Sequence, residues 1–211
     1  MKIGVIGSGD VAKTLTLGFL NEGHELTIGS RTPDKLVEWR SAYPSIKLGD
    51  FNETAKFAEV IVLAVKGVAA VEVLAQIPAE FIANKIIIDT TNPIADSPPV
   101  NGVLNYFTST NESLMERLQK TYPLAKFVKA FNSVGSAHMI HPKFELKPTM
   151  FICGNDDSAK QVVSQLLSSL GWEAADYGKV ESARAIESLC ILWCLPGFLR
   201  GDWSHALKMM A

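Results

Sequence analysis

The chain of 211 residues is expected to fold as an α/β protein with a doubly wound, mostly parallel sheet, and three observations carry that expectation. Short Val/Ile-rich runs alternate with amphipathic stretches of helical period, the pattern that lays helices over both faces of a parallel sheet. The first two runs, Lys2–Gly7 and Glu25–Gly29, flank a helical stretch, Asp10–Asn21, in which Val11, Leu15, Gly18 and Phe19 share a face, so the chain opens with a βαβ unit. Between the first run and that helix lies Gly7-Ser8-Gly9-Asp10-Val11-Ala12, a glycine-rich turn at the place where a Rossmann-like fold has one.

The remaining elements follow in order. Strands are expected at Ile46–Leu48, Val60–Val65, Lys85–Thr91 and Lys126–Phe131, separated by helices at Asn52–Ala58, Val68–Gln76 and Ser113–Lys120. The segment Asn92–Thr110 is rich in Pro, Ser, Asn and Thr and reads as a long loop of the kind that is functional or mobile. After a Pro-interrupted stretch, His141–Pro148, a second unit begins with a strand at Thr149–Gly154, a helix at Asp156–Leu170 and a strand at Trp172–Asp176. Two helical pieces, Ser182–Leu195 and Trp203–Met210, complete the chain. A boundary near residue 145 divides it into a Rossmann-like domain, 1–145, and a small C-terminal α/β domain, 146–211.

Composition narrows the function classes. With 47% hydrophobic residues, 20% charged residues and a formal charge of -2, the chain lacks the basic excess that nucleic acid or an anionic membrane favours. The opening MKIGVIGSGD has no secretory-signal pattern, and the longest apolar run, Leu189–Leu199, is broken by Pro196 and Gly197 and is too short to span a bilayer. Cys190 and Cys194 lie four apart in a helical pattern, whereas redox and zinc pairs usually have a two-residue gap, so all three cysteines are expected to be buried and reduced. A cytoplasmic location is expected. His138 and His141 share a spacing of three but have no other ligand close in sequence, and no metal site is expected.

The glycine-rich turn points to a dinucleotide. Gly7 permits the tight turn, Gly9 lets a pyrophosphate approach the backbone, and small Ala12 lets the helix pack against the sheet, while the helix N-terminus supplies amide donors. Proteins that bind NAD end the second strand in an acid that holds the ribose 2′-hydroxyl, about twenty residues beyond the loop. Here the strand ends in Ser30-Arg31-Thr32, with Lys35 one turn further. A guanidinium with two hydroxyls beside it suits a 2′-phosphate, and hence NADP(H); a solvated surface arginine is the other reading. Val65-Lys66 and Asn92 follow later strands at the same carboxyl edge, where they either meet the nicotinamide half or serve only as turn residues.

A catalytic residue is not legible. No histidine, lysine or tyrosine stands in an obvious constellation for taking a substrate proton, which suits hydride transfer between a nicotinamide and a second, tricyclic redox cofactor.

The chain resembles the deazaflavin-dependent NADP oxidoreductases that use coenzyme factor 420. The likeness rests on GSGDVA, on GSR at Gly29–Arg31, on DTTNP at Asp89–Pro93, on KAFNS at Lys129–Ser133, on ICGNDD at Ile152–Asp157 and on SARAIESL at Ser182–Leu189. The resemblance implies an NADP(H)-binding Rossmann domain and a small C-terminal domain that closes the redox cleft, in which the deazaflavin stacks on the nicotinamide. Carried over by position, Ser8, Asp10 and Val11 contact the cofactor through the loop, Ser30, Arg31 and Lys35 hold the 2′-phosphate, and Asn132 with Val134 border the redox cleft. Archaeal members have His in place of Asn132, whereas KAFN is similar to bacterial members and to the NADPH-binding domain of the six-transmembrane epithelial antigen metalloreductases. The second cofactor is therefore a deazaflavin, FMN or FAD. Lys129, Lys143 and Lys147 are either contacts for an anionic deazaflavin tail or ordinary solvated lysines. The apolar LCILWCLPGFL and the family tendency point to a homodimer. The competing readings are an imine or keto-acid reductase resembling pyrroline-5-carboxylate reductase, and a non-catalytic NADP sensor.

Overall fold

Alternation along the strands decides what covers each face of the sheet. In β4 (Val60–Leu63), Val60 and Val62 enter one core layer and Ile61 and Leu63 the other. The first layer is closed by Leu15 and Phe19 of α1 (Asp10–Asn21) and by Val163 and Leu167 of α6 (Asp157–Ser169). The second is closed by α3 (Phe51–Phe57), α4 (Gly67–Ala75), α5 (Leu114–Thr121) and the start of α7 (Ala183–Arg200). A short α2 (Val37–Ser41) lies between the second and third strands. The computed structural model describes residues 1–210.

The other strands are β1 (Lys2–Ile6), β2 (Glu25–Gly29), β3 (Lys47–Gly49), β5 (Ile86–Asp89), β6 (Lys126–Lys129), β7 (Thr149–Gly154) and β8 (Glu173–Asp176). They form one eight-stranded sheet in the order β3-β2-β1-β4-β5-β6-β7-β8. The first six are parallel, β7 pairs antiparallel to β6, and β8 returns parallel to β7. This is the expected doubly wound Rossmann-like sheet, and β7 and β8 lengthen it at one edge. The order reverses between β1 and β4, and a ligand crevice of this architecture opens outside the carboxyl ends of those strands.

Helix starts separate into two kinds. Asp50 and Glu53 form a reciprocal capping box at α3, with Glu53 N donating to Asp50 Oδ1 at 2.8 Å and Asp50 N to Glu53 Oε2 at 3.0 Å. Ser113 and Glu116 do the same for α5, and Asp156 accepts from Ala159 N at 2.8 Å to cap α6. By contrast α1 starts from Gly9 with no side-chain cap, so its first amides are left for something else.

Two expectations at the C-terminus need correction. The helix expected to stop at Leu195 runs through Pro196 to Arg200, because a proline this near the end removes few backbone bonds, and left-handed Gly201 (φ 72°) then closes it. Residues 203–210 are not helical. Trp203 and His205 pack against Trp193 of α7, and Thr149 N donates to Leu207 O at 2.9 Å and Met209 N to Thr149 Oγ1 at 3.1 Å, so tertiary contacts outweigh local helical pattern. The 94–112 loop is tied by bridges Ile94↔Tyr106, Val100↔Val103 and Ser109↔Glu112 into a folded hairpin. The stretch Val180–Arg200 is long and apolar enough by length and composition to cross a membrane; it carries buried Glu187, and its start, Val180, Ala183 and Ile186, packs into the second core layer.

Trp172 is the largest fully buried side chain, and its Nε1 donates to Met139 O at 2.8 Å. Trp172→Ala is expected to lower unfolding free energy by about 3–5 kcal/mol, read as a fall in the urea midpoint at an unchanged slope.

Candidate functional site

The turn after β1 is held by its neighbours on both sides. Gly7 N donates to Gly29 O at 2.9 Å, and Gly7 itself sits at φ 138° with Ala64 O only 2.1 Å from where a Cβ would stand. Only glycine fits there. A Cβ on Gly9 would meet nothing within 4 Å, so this position faces open space at the mouth of the cleft. Beyond it, Ala12 is fully buried, which seats α1 close to the turn.

Two adjoining cavities follow the carboxyl edge of the sheet and share Gly9, Ala64, Val65 and Lys66. The first, about 610 Å³, gathers Gly7, Ser8, Ser30, Arg31, Thr32 and Lys35, with an apolar wall of Phe51, Ala69 and Val73. Ser30 is buried and accepts from Thr32 N at 3.2 Å, a turn that carries exposed Arg31 past the end of β2. Among the described residues no carboxylate lies within ion-pair distance of Arg31 or Lys35. Two unpaired cations beside an uncapped helix N-terminus form a site for an anion bearing more than one phosphate.

The second cavity, about 570 Å³, is lined by Asp10 and Val11 at the start of α1, by Thr90, Thr91 and Asn92 after β5, by Ile94, Ala95 and Asp96 of the hairpin, and by Ser136. Its backbone walls are packed closely: a Cβ on Gly67 would stand 1.8 Å from Asn92 O. The cleft thus has a cationic end and a neutral-to-acidic end joined over the phosphate loop.

Of the fourteen residues that the sequence assigns to this cleft, Asn132 and Val134 are the two that line neither cavity. Both are buried. Asn132 Nδ2 donates to Asn92 Oδ1 at 3.1 Å and to Ile186 O at 2.8 Å, while Asn92 Nδ2 donates to Asn132 O at 2.7 Å. Asn132 therefore supports the cleft from behind, through Asn92. Phe131, beside it, holds φ 60°, an uncommon value for a bulky residue, at the point where the chain leaves β6.

Lys129 also differs from both readings offered for it, since it is neither a tail contact nor solvated. Its Nζ is fully buried and bonds Asp89 Oδ2 at 2.7 Å, Glu187 Oε1 at 2.8 Å and Thr91 O at 2.8 Å. Burial alone would pull this lysine down, but the two carboxylates outweigh it and hold Lys129 above its ordinary range. Asp89 Oδ1 in turn accepts from Thr91 N at 2.9 Å and Thr91 Oγ1 at 2.7 Å. The sequence signal for this network was an acid at the end of β5 and a lysine at the end of β6, both within otherwise apolar strands. Lys143 and Lys147 are exposed and line neither cavity. The three cysteines are buried and free, with Cys190 and Cys194 Sγ atoms 4.0 Å apart, and burial pushes the Cys153 thiol up to about 12.

Sheet order, glycine turn and uncapped helix together define a dinucleotide-binding protein of the Rossmann class. The family described as NADP oxidoreductase, coenzyme F420-dependent, matches residues 2–93. A crystal structure from Arthrobacter sp. FB24, assigned as an F420-dependent NADP reductase, is similar over 100% of both chains at 32% identity with a TM-score of 0.94. The F420-dependent NADP reductase of Methanocaldococcus jannaschii is 26% identical over 90% of this chain and 89% of its own length. Metalloreductase STEAP3 of Rattus norvegicus is 26% identical over 89% of this chain, which spans only 36% of that relative. The chain belongs to the F420-dependent NADP oxidoreductase family.

The two glycines of the turn separate folding from binding. Gly9→Ala is expected to change stability by less than about 1 kcal/mol while weakening NADPH binding on the order of tenfold, because the new methyl enters the cleft. Gly7→Ala is expected to destabilise the fold by at least about 2 kcal/mol, through strain at positive φ and overlap with Ala64 O. Thermal denaturation and equilibrium titration of both variants check the contrast.

Proposed function

We propose that the protein is an NADPH-dependent oxidoreductase that exchanges hydride between NADP(H), lying along both cavities, and a deazaflavin or flavin ring in the second. The observation that carries this reading is the division of one cleft into an end with Arg31 and Lys35 and a roomy end with Asp10 and Asp96, on either side of the phosphate loop and joined at Lys66. Arg31, Ser30, Thr32 and Lys35 hold the 2′-phosphate, and Phe51, Ala69 and Val73 face the adenine. Ser8 through Val11 present the free amides of α1 to the pyrophosphate. Val65, Lys66 and Asn92 border the nicotinamide.

When both cofactors are bound they supply the redox chemistry: two electrons and a proton pass as hydride from one ring to the other. The chain's part is to align the rings and exclude water. Thr91 and Asn92 are held from behind by Lys129 and Asn132, so this wall of the second cavity is set before any ligand arrives. Three free, buried thiols support a reducing, cytoplasmic setting. Exposed Leu192, Phe198 and Leu199 on α7, with Val100 and Val103 on the hairpin, support association as a homodimer through that face.

Arg31→Ala is expected to weaken NADPH binding about ten- to a hundredfold, from the roughly 1.5–3 kcal/mol of a charge-assisted hydrogen bond, while NADH binding stays nearly unchanged. Equal losses for both dinucleotides would reject the assignment. The acceptor is read by following reduced-nicotinamide absorbance with a deazaflavin, FMN, FAD and riboflavin in parallel. At least one ring is expected to accelerate NADPH oxidation, and no acceleration by any of them would reject the hydride-transfer reading.

A further inference from the structure

Ile186 and Glu187, near the start of α7, collect hydrogen bonds from elements that build the second cavity and from α5. Tyr106 Oη of the hairpin donates to Glu187 O at 2.6 Å. Leu114 N and Met115 N at the start of α5 donate to Glu187 Oε2 and Oε1 at 2.9 and 3.0 Å. Lys129 Nζ reaches Glu187 Oε1 and, on its other side, Thr91 O, both at 2.8 Å. Asn132 joins Ile186 O to Asn92. Thr91 and Asn92 line the second cavity, and Tyr106 bridges Ile94, which lines it too. None of these bonds touches Gly7, Ser8, Arg31 or Lys35.

From this geometry we propose that Glu187 is a positioning residue for the hydride-accepting side of the cleft, acting through Lys129 on the Thr91–Asn92 wall. The C-terminal helix thereby sets the geometry of the acceptor cavity, and the phosphate end is independent of it. The inference rests on the proposed assignment of the second cavity to a redox ring. Glu187 is 2% exposed and Lys129 and Asp89 are fully buried, so the wall is held by groups that water does not reach. A carboxylate is required at this position, because its two oxygens accept from two backbone amides and an ammonium together. A glutamine turns an N–H donor toward one of those donors.

The test uses the full chain with Glu187→Gln. Amide hydrogen exchange is followed in peptides spanning 88–96 and 4–16, together with NADPH affinity and the single-turnover rate of hydride transfer to the best ring acceptor. Exchange at 88–96 is expected to rise on the order of tenfold, with 4–16 and the NADPH Kd within about twofold of wild type, and the hydride-transfer rate is expected to fall on the order of tenfold. Leu167→Ala, a core truncation on α6 away from the cleft, serves as the control: it lowers stability and leaves the hydride-transfer rate within about twofold. Unchanged exchange at 88–96, an equal rise in both peptides, or a wild-type transfer rate would overturn the proposal. Selective loosening of 88–96 in a protein that reduces no ring would support the positioning role and reject the hydride reading, so the two failures are separate. Should Glu187→Gln fail to fold, Tyr106→Phe removes a single bond of the same anchor, and it must raise exchange at 88–96 alone for the proposal to stand.

Discussion

One buried ammonium ties this protein together. Lys129 sits at the end of β6 with its three donors matched by Asp89, Glu187 and the carbonyl of Thr91. Desolvating each of these ions costs several kcal/mol, and the close ion pairs with Asp89 and Glu187 and the hydrogen bond to Thr91 O offset that penalty. One positive and two negative groups leave a surplus negative charge, which faces the amides of Leu114 and Met115 at the positive end of α5. Strands β5 and β6, helix α5 and helix α7 are thus joined at one point, immediately behind the cleft. Removing one member of such a network typically costs about 3–5 kcal/mol, because the remaining charges stay buried without a partner.

The cleft follows from an asymmetry in how polar groups are satisfied. Helices α3, α5 and α6 have side-chain caps, so their amides are occupied. Helices α1, α2, α4 and α7 have none, and of these α1 begins at the point where the strand order reverses. Arg31 and Lys35 on the same side of the cleft are likewise without carboxylate partners among the described residues. Unsatisfied donors and cations that converge on one crevice are stabilised by a polyanionic ligand; in the proposed function the second cavity takes the ring that meets its far end.

Much of this was legible in the sequence because it depends on local pattern. Alternating Val/Ile runs gave the sheet, and Gly7, Gly9 and Ala12 gave the phosphate turn. Strand ends were set too late: Val60–Val65 stops at Leu63, Lys85–Thr91 at Asp89 and Lys126–Phe131 at Lys129. The overshooting residues are apolar or β-branched, as strand residues are, but they leave the sheet to form the cleft or to support it. The Lys129 network was only half legible: an acid and a lysine that end apolar strands signal buried charge, but Glu187 lies far away in sequence and reads as a solvated helix residue. For the same reason Asn132 reads as a lining residue until its bonds to Asn92 and Ile186 are seen. The stretch 203–210 reads as a helix because its pairing with β7 is a tertiary event.

The most direct test is a crystal structure of the complex with NADPH. Arg31 is expected within hydrogen-bonding distance of the 2′-phosphate, the pyrophosphate on the amides of Ser8 to Val11, and the nicotinamide beside Asn92 with open space on one face of its ring. A complex in which Arg31 points to bulk solvent, or in which side chains fill the space against the nicotinamide, would contradict both the cofactor assignment and the place given to a second ring.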